Sequence, residues 1–333
     1  MLILGIESSC DETAAALVLD GNTILSSSVA SQIDVHHPFG GVVPELASRK
    51  HIESIVPVVE DALDKAGKRP DQIDAIAVTQ GPGLIGSLLV GFSFAKGYAC
   101  SLGIPWVGVN HLEGHVNSVF LTPEPPAFPF TALLASGGHT SIYHAVSHTE
   151  LEIMGRTRDD AAGEAYDKVA KMLGLGYPGG SAIDSLARKG NPLKIPFPKP
   201  YLDKSAFDFS FSGIKTAVSR YIQKHSETFS HEITDIAAGF QESVVEVLTH
   251  KLILAAEVKG VSHVAVVGGV AANSHLRKSV EKQASLKGLS VHIPPADLCG
   301  DNAAMIAAIG YHYLKQGFTS DMNSDVFSKI ITN

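Results

Sequence analysis

Cysteine is scarce in this 333-residue chain, basic charge is outnumbered, and no apolar run is long. Cys10, Cys100 and Cys299 stand far apart with no Cys-x-x-Cys pair. That argues against a disulfide scaffold and for a reducing cytoplasm. The chain has 26 Lys plus Arg against 34 Asp plus Glu, a formal net charge of −8. A general nucleic-acid coat protein is therefore excluded, and only local basic patches remain open. No stretch approaches the ~20 uninterrupted apolar residues of a membrane span. Met1-Leu2-Ile3-Leu4-Gly5-Ile6-Glu7 lacks a basic region ahead of its apolar residues and reads as a strand, not a signal peptide. These absences point to a cytoplasmic chain with no membrane association. What is present, 45% hydrophobic and 18% charged residues, suits a globular protein large enough for two domains.

The hydrophobic pattern alternates strands and helices. Residues 2–6, 14–19 and 23–29 read as strands, 44–66 as a helix, 74–79 as a buried strand and 84–102 as an apolar helix. A strand at 106–110 follows, then a helix opening on a histidine pair. Thr122-Pro123-Glu124-Pro125-Pro126 reads as a domain joint. Strands then restart at 130–135, 141–146 and 150–155, with helices at 161–173, 181–189, 212–225 and 232–259. Residues 263–267 form a strand, 268–273 a turn, 274–287 a helix, 289–293 a strand and 302–316 the last long helix. The two halves repeat one order, which predicts a duplicated α/β fold with a cleft between lobes. The first lobe is 1–126, with the helix at 301–317 packing back on it. The second is 127–300, carrying a helical insertion at about 157–235.

The sharpest chemical signal is Val109-Asn110-His111-Leu112-Glu113-Gly114-His115. Histidines at i and i+4 share a helix face about 5–6 Å apart and suit two imidazoles on one divalent metal. A zinc peptidase would need Glu directly after the first His. Glu113 is two residues on, roughly 200° around the helix, and faces away. Taken alone, the pair is equally well read as two helix histidines holding hydrogen-bond partners. Asp301-Asn302, at the start of the last helix, is a second acidic signal.

Two polar turns occupy equivalent places in the halves, Glu7-Ser8-Ser9-Cys10-Asp11-Glu12-Thr13 and Ser136-Gly137-Gly138-His139-Thr140. Their backbone N–H groups and hydroxyls could hold phosphate oxygens, although one such loop alone is by default a β-turn. With the third turn, Gly268-Gly269, they predict a nucleotide lying across both halves. Its phosphate would sit on 136–138 and its adenosine beside 268–273, where glycine lets backbone approach a ligand.

These motifs carry a resemblance. Gly5-Ile6-Glu7-Ser8-Ser9-Cys10-Asp11-Glu12-Thr13, Gly40-Gly41-Val42-Val43-Pro44-Glu45-Leu46-Ala47-Ser48-Arg49 and Gly81-Pro82-Gly83-Leu84 occur in order with the two histidine- and glycine-bearing motifs above. Asp159-Asp160-Ala161-Ala162-Gly163-Glu164-Ala165, Phe209-Ser210-Phe211-Ser212-Gly213, Gly268-Gly269-Val270-Ala271-Ala272-Asn273 and Asp301-Asn302-Ala303-Ala304-Met305-Ile306-Ala307 complete the set. From Leu2 to about Gly317 the chain resembles the bacterial tRNA adenosine threonylcarbamoyltransferases, the TsaD family. The resemblance implies an actin/Hsp70/sugar-kinase-like (ASKHA) fold and transfer of threonylcarbamoyl from threonylcarbamoyl-AMP to the exocyclic amine of the adenosine 3′ of the anticodon. The tRNAs concerned read codons beginning with A, and AMP leaves.

The resemblance also implies metal ligands at His111, His115 and Asp301, and donor contacts at Leu134, Ala135, Ser136, Gly137, Gly138, Asp167, Gly180, Asp184 and Asn273. Fe(2+) is the ion it implies first, and residue chemistry alone would equally allow Zn(2+). A tyrosine ligand of archaeal relatives is Leu134 here, leaving the remaining ligands to the donor or water. Implied partners are tRNA, an actin-like paralogous subunit (TsaB) and a small ATPase subunit (TsaE). The helix at 84–102 is a candidate docking face, although core packing explains such a helix more simply.

Because a mixed anhydride donor is already activated, no covalent intermediate is needed; charge control and positioning remain. Asp167 is assigned to threonyl or ribose hydroxyls. Asp11 and Glu12 are candidates for positioning the amine or taking its proton, with a hairpin cap as the alternative. Cys10 reads as a packed turn residue. The basic clusters Arg49-Lys50, Arg156 with Arg158, Arg188-Lys189, and Lys194, Lys199 and Lys204 are by default solvated faces. The rival readings are an ATPase or small-molecule kinase on the same fold, a metallopeptidase, and a non-catalytic subunit. None of these needs the histidine pair, Asp301 and the donor loops together.

Overall fold

In the computed structural model, which describes residues 1–329, β1 (Leu2–Glu7) is buried at every position. Such burial belongs to a strand covered on both faces, and β1 is the central strand of its sheet. It pairs antiparallel with β2 (Glu12–Leu19), which pairs antiparallel with β3 (Thr23–Ser31). On its other side β4 (Ala75–Gly81) and β5 (Trp106–Asn110) run parallel to it. The connections carry α1 (Ile33–His36), α2 (Pro44–Ala66), α3 (Ile85–Leu102) and α4 (His111–Asn117). Among the described residues α3 is the one helix long and apolar enough to cross a membrane. It packs on α2, β4 and β1.

A second unit spans Pro126–Cys299. Its sheet is built from β6 (Phe130–Ala135), β7 (Thr140–Ala145) and β8 (Leu151–Arg156), paired antiparallel in sequence. The helices α5 (Ala162–Met172), α6 (Gly179–Ala187), α7 (Ser212–Lys224) and α8 (Ile233–Lys259) follow. Next come β9 (His263–Val267), α9 (Ser274–Leu286), β10 (Ser290–His292) and α10 (Ala296–Cys299). The strand orders are β3-β2-β1-β4-β5 and β10-β9-β6-β7-β8. In each, the central strand has two successive antiparallel pairings on one side and two parallel pairings on the other, so the duplicated plan is present.

The chain returns to the first unit, Met1–Pro125 with the segment from Gly300, through α11 (Ala303–Lys315). Every residue of α11 from Ala303 to Gly310 is buried, and it lies on β1, β2, β4 and β5. Its run of alanines permits that closeness, and Gly5 of β1 completes it.

The sequence reading differs from the structure in small pieces. The helix expected at 181–189 runs Gly179–Ala187, and 268–273 contains a 3-10 turn at Gly269–Ala272. The short segments α1, α10, His37–Phe39, Pro70–Gln72, Ser118–Leu121 and Phe229–His231 escape it. Four residues or fewer hold too little of a helical period to be seen.

Candidate active site

The Asn110 side chain caps α4, accepting a hydrogen bond from the Leu112 N–H at 2.9 Å. This fixes the first turn, and His111 and His115, one turn apart, are both buried. Asp301 precedes α11, which Asn302 caps by accepting from the Met305 N–H. The packing of α4 on α11 includes two contacts that bear on the site. Gly114 lets Ile306 approach, since an added Cβ would stand 2.9 Å from its Cδ1, and Tyr313 donates to the Glu113 carboxylate. Glu113 thus points at α11 and not at the histidines, as its spacing requires.

Ligand atoms of His111, His115 and Asp301 all lie within 4.8 Å of one another. Asp301 Oδ1 is 3.1 Å from His115 Nε2 and 3.5 Å from His111 Nε2. Donors ~2.05 Å from a tetrahedral ion are ~3.3 Å apart, and these two edges match that spacing. Two imidazoles and one carboxylate are a borderline donor set, able to hold Fe(2+) or Zn(2+).

Glu7, at the end of β1, went unassigned in the sequence. Its Oε2 accepts from His111 Nδ1 at 3.0 Å and from the Thr79 hydroxyl, and its Oε1 accepts from the Ser9 N–H at 2.6 Å. Burial opposes its charge, but the His111 imidazole outweighs burial and holds the carboxyl below its usual range. Burial likewise opposes a charged His111, yet Glu7 and Asp301 push it well above the usual imidazole range. Asp301 is held well below the carboxylate range by His111 and His115, again against burial. The signal for Glu7 was available: a lone carboxylate ending an otherwise apolar central strand must find a partner.

The hairpin between β1 and β2 places Asp11 and Glu12 where Asp301 acts on Glu12 electrostatically. Glu12 accepts from the Ser31 hydroxyl at 3.3 Å, and burial, then Asp11 and Asp301, push its carboxyl up to about 9. The Cys10 thiol is pushed well above its usual range by burial and the same acids, which disfavours the thiolate form. His51 of α2 anchors this hairpin from behind. Its Nε2 donates to the Cys10 carbonyl at 3.0 Å, so its Nδ1 accepts from Thr13 Oγ1 at 2.7 Å.

The second unit gathers the other assigned residues. Leu134 and Ala135 end β6, both buried. The loop after them is closed by Ser136 N–H to His139 O at 2.8 Å and His139 N–H to Ser136 Oγ at 3.1 Å. Gly163 N–H donates to Ser136 O at 3.1 Å, tying the loop to the first turn of α5. A Cβ on Gly137 or Gly138 would meet nothing within 4 Å, whereas one on Gly268, at φ +88°, would stand 2.5 Å from Ala135 O. Asp167 of α5 accepts from the Gly179 N–H at 2.7 Å, which places Gly180 in the first turn of α6. Asp184 accepts from Ser274 Oγ at 2.9 Å and Arg188 at 2.6 Å. Asn273 caps α9 through His275 and Leu276 N–H and donates to Gln241 Oε1 at 2.7 Å. Hydrogen bonds thus link α5 to α6, α6 to α9, and the α9 cap to α8. Gln241 and Ser274 were not visible in the sequence as part of this set.

Most cations named from the sequence are already paired. Arg49 meets Glu45, Lys50 meets Glu53, Arg158 meets Asp208, Arg188 meets Asp184, Lys194 meets Asp235 and Lys199 meets Glu246.

Residues 23–308 match TsaD, tRNA N6-adenosine threonylcarbamoyltransferase. The chain belongs to that family. It is 61% identical to a tRNA N6-adenosine threonylcarbamoyltransferase of Desulforapulum autotrophicum over 329 residues, 99% of each chain. To the protein of that name from a Geobacter species it is 56% identical, covering 98% of this chain and 95% of the other. Among solved structures it is similar to component A of the Acidaminococcus fermentans (R)-2-hydroxyglutaryl-CoA dehydratase, with a TM-score of 0.58 at 18% identity. That match covers 95% of this chain and 99% of the other and bears on the fold alone, which is the ASKHA fold. As a threonylcarbamoyltransferase the chain is an enzyme of tRNA modification. The kinase, peptidase and non-catalytic readings are set aside.

Proposed function

We propose that the chain transfers threonylcarbamoyl from threonylcarbamoyl-AMP to N6 of the adenosine 3′ of the anticodon, with His111, His115 and Asp301 holding a divalent ion, Fe(2+) first and Zn(2+) second. The observation that carries the metal assignment is the convergence of three buried or half-buried ligand atoms on one point. When bound, such an ion supplies a Lewis acid for the donor's oxygens.

The chain's own residues supply the rest. Backbone N–H groups at Gly137 and Gly138 would face the phosphate, supported by the open space around both glycines, while the Ser136 N–H holds the loop closed on His139 and Ser136 would contribute through the loop's shape. The side chains of Leu134 and Ala135 are spent in the core, so their contacts with the donor would be through backbone. Asp167, Gly180, Asp184 and Asn273 would hold the threonyl and ribose hydroxyls. Asn273 is suited to this, because its oxygen is committed to α9 and one amide hydrogen to Gln241, which leaves one N–H to offer. Asp11 would position the adenosine amine or take its proton, and Glu12, its carboxyl pushed up to about 9, would position the amine. Direct transfer needs no thiolate, in keeping with the raised Cys10 thiol.

The partners would be tRNA, the actin-like paralogue TsaB and the ATPase TsaE, in the cytoplasm. Exposed Ile52 and Val56 on α2 and Ile85 and Leu89 on α3 support docking of the paralogue there. Calorimetry with threonylcarbamoyl-AMP tests the donor assignment. Gly138→Val should stay folded and bind much more weakly; undiminished affinity would remove the 136–138 loop from the site.

A further inference from the structure

A buried carboxylate backs one of the candidate metal ligands, and its geometry assigns it a task. Glu7 is fully buried at the end of the central strand and leaves no oxygen idle. Oε1 takes the Ser9 N–H, while Oε2 takes the hydroxyl of Thr79 on the neighbouring strand and the Nδ1–H of His111 at 3.0 Å. A carboxylate with these donors around it can only accept. Nδ1 of His111 therefore keeps its proton, and Nε2, the atom 3.5 Å from Asp301 Oδ1, is the nitrogen turned toward the triad and the one that would give up its proton to a metal. The ring is fixed at its back by two adjacent strands of a buried sheet, a more rigid support than a loop could give.

We propose that Glu7 is a positioning residue that sets the tautomer and ring orientation of His111 for metal binding, with Thr79 holding Glu7 in turn. His115 makes the contrast: its Nδ1 is buried without a hydrogen-bond partner, so its ring is placed by packing and by Asp301 alone. His111 is thus the oriented ligand of the pair and His115 the adjustable one. A carboxylate behind a histidine ligand also raises its basicity, and loss of such a partner typically weakens metal binding about 10- to 100-fold.

The inference rests on the metal-binding reading above, and the experiment separates the two. Zn(2+) affinity is measured by competition with a chromophoric chelator for wild type, His111→Ala, Glu7→Gln and Thr79→Val. The Zn(2+)-loaded proteins are also compared by imidazole N–H resonances. Glu7→Gln should bind Zn(2+) about 10- to 100-fold more weakly, with the His111 Nδ1–H resonance moved upfield and exchanging faster. Thr79→Val should shift both in the same direction by a smaller amount, and it decides the question if Glu7→Gln does not fold. Equal binding by wild type and His111→Ala would sink the metal site itself. If His111→Ala loses Zn(2+) while folded Glu7→Gln and Thr79→Val keep wild-type affinity and an unmoved resonance, Glu7 has no positioning role.

Discussion

A Cβ on Gly5 would stand 2.1 Å from the carbonyl oxygen of Ala303. Glycine in the central strand is what allows the start of α11 to lie on β1, and Asp301 sits two residues ahead of that contact. Gly5→Ala should therefore destabilise the protein by about 3 kcal/mol and weaken metal uptake at the same time. Chemical denaturation and Zn(2+) titration of the variant check both. Unchanged stability would mean that α11 can lift off the strand freely.

The triad itself predicts one divalent ion per chain. His111→Ala combined with His115→Ala should lose it while wild type retains it through gel filtration. Elemental analysis of the two proteins, prepared side by side, reads the result, and equal metal content contradicts the assignment.

Lys251 of α8 is fully buried, and its ammonium donates to the carbonyls of Asp203, Ala206 and Asp208 at 2.9, 2.5 and 2.8 Å. It closes the irregular segment that the sequence left between two helices. Lys251→Met keeps the stem but strands three carbonyls, at a cost of about 3 kcal/mol or more. Limited proteolysis should then cut first near residues 203–208; an unchanged cleavage pattern would show that the clamp is dispensable.

Burial holds the His51 imidazole below its ordinary value of 6.5, so it stays neutral in the folded protein where the unfolded chain begins to take a proton. Its contribution to stability is complete above pH 6.5 and is lost as the pH falls below that value. His51→Gln can make the same two hydrogen bonds without titrating. The gap between wild type and variant in denaturation midpoint should therefore shift in the variant's favour from pH 7 to pH 5. A constant gap would contradict neutral burial of His51.

Much of the fold could be read from the chain because its signals are local. Apolar runs such as Leu2-Ile3-Leu4 and the small-residue run opening α11 mark buried elements, and repetition of their order marks the duplication. The histidine pair was legible for the same reason, one helical turn of spacing. What escaped was the support behind the site. Glu7 meets His111 across 104 positions, Thr13 meets His51 across 38, and Gln241 meets Asn273 across 32. Such pairings are set by strand register and helix packing, which no local pattern encodes. The basic clusters, read from sequence as solvated faces, are visible there, whereas the acids that neutralise them are set beside them by folding or by helical spacing.

With an activated donor and a thiol raised by its acidic neighbours, Cys10→Ser should retain substantial transfer activity. Rapid-quench intact-mass analysis with labelled donor should find no acyl-enzyme. A kinetically competent adduct on Cys10, lost in the variant along with turnover, would replace direct transfer with a thiol mechanism.

The central claim is transfer to the tRNA base, and nucleoside mass spectrometry tests it most directly. An unmodified tRNA that reads codons beginning with A is incubated with synthetic threonylcarbamoyl-AMP, a divalent metal, the wild-type chain and its proposed partner subunits. Threonylcarbamoyladenosine should appear at the position 3′ of the anticodon, and only background levels when Asp301→Ala replaces wild type. Intact donor and unmodified adenosine after prolonged incubation with wild type, or equal product from wild type and the variant, would contradict the account.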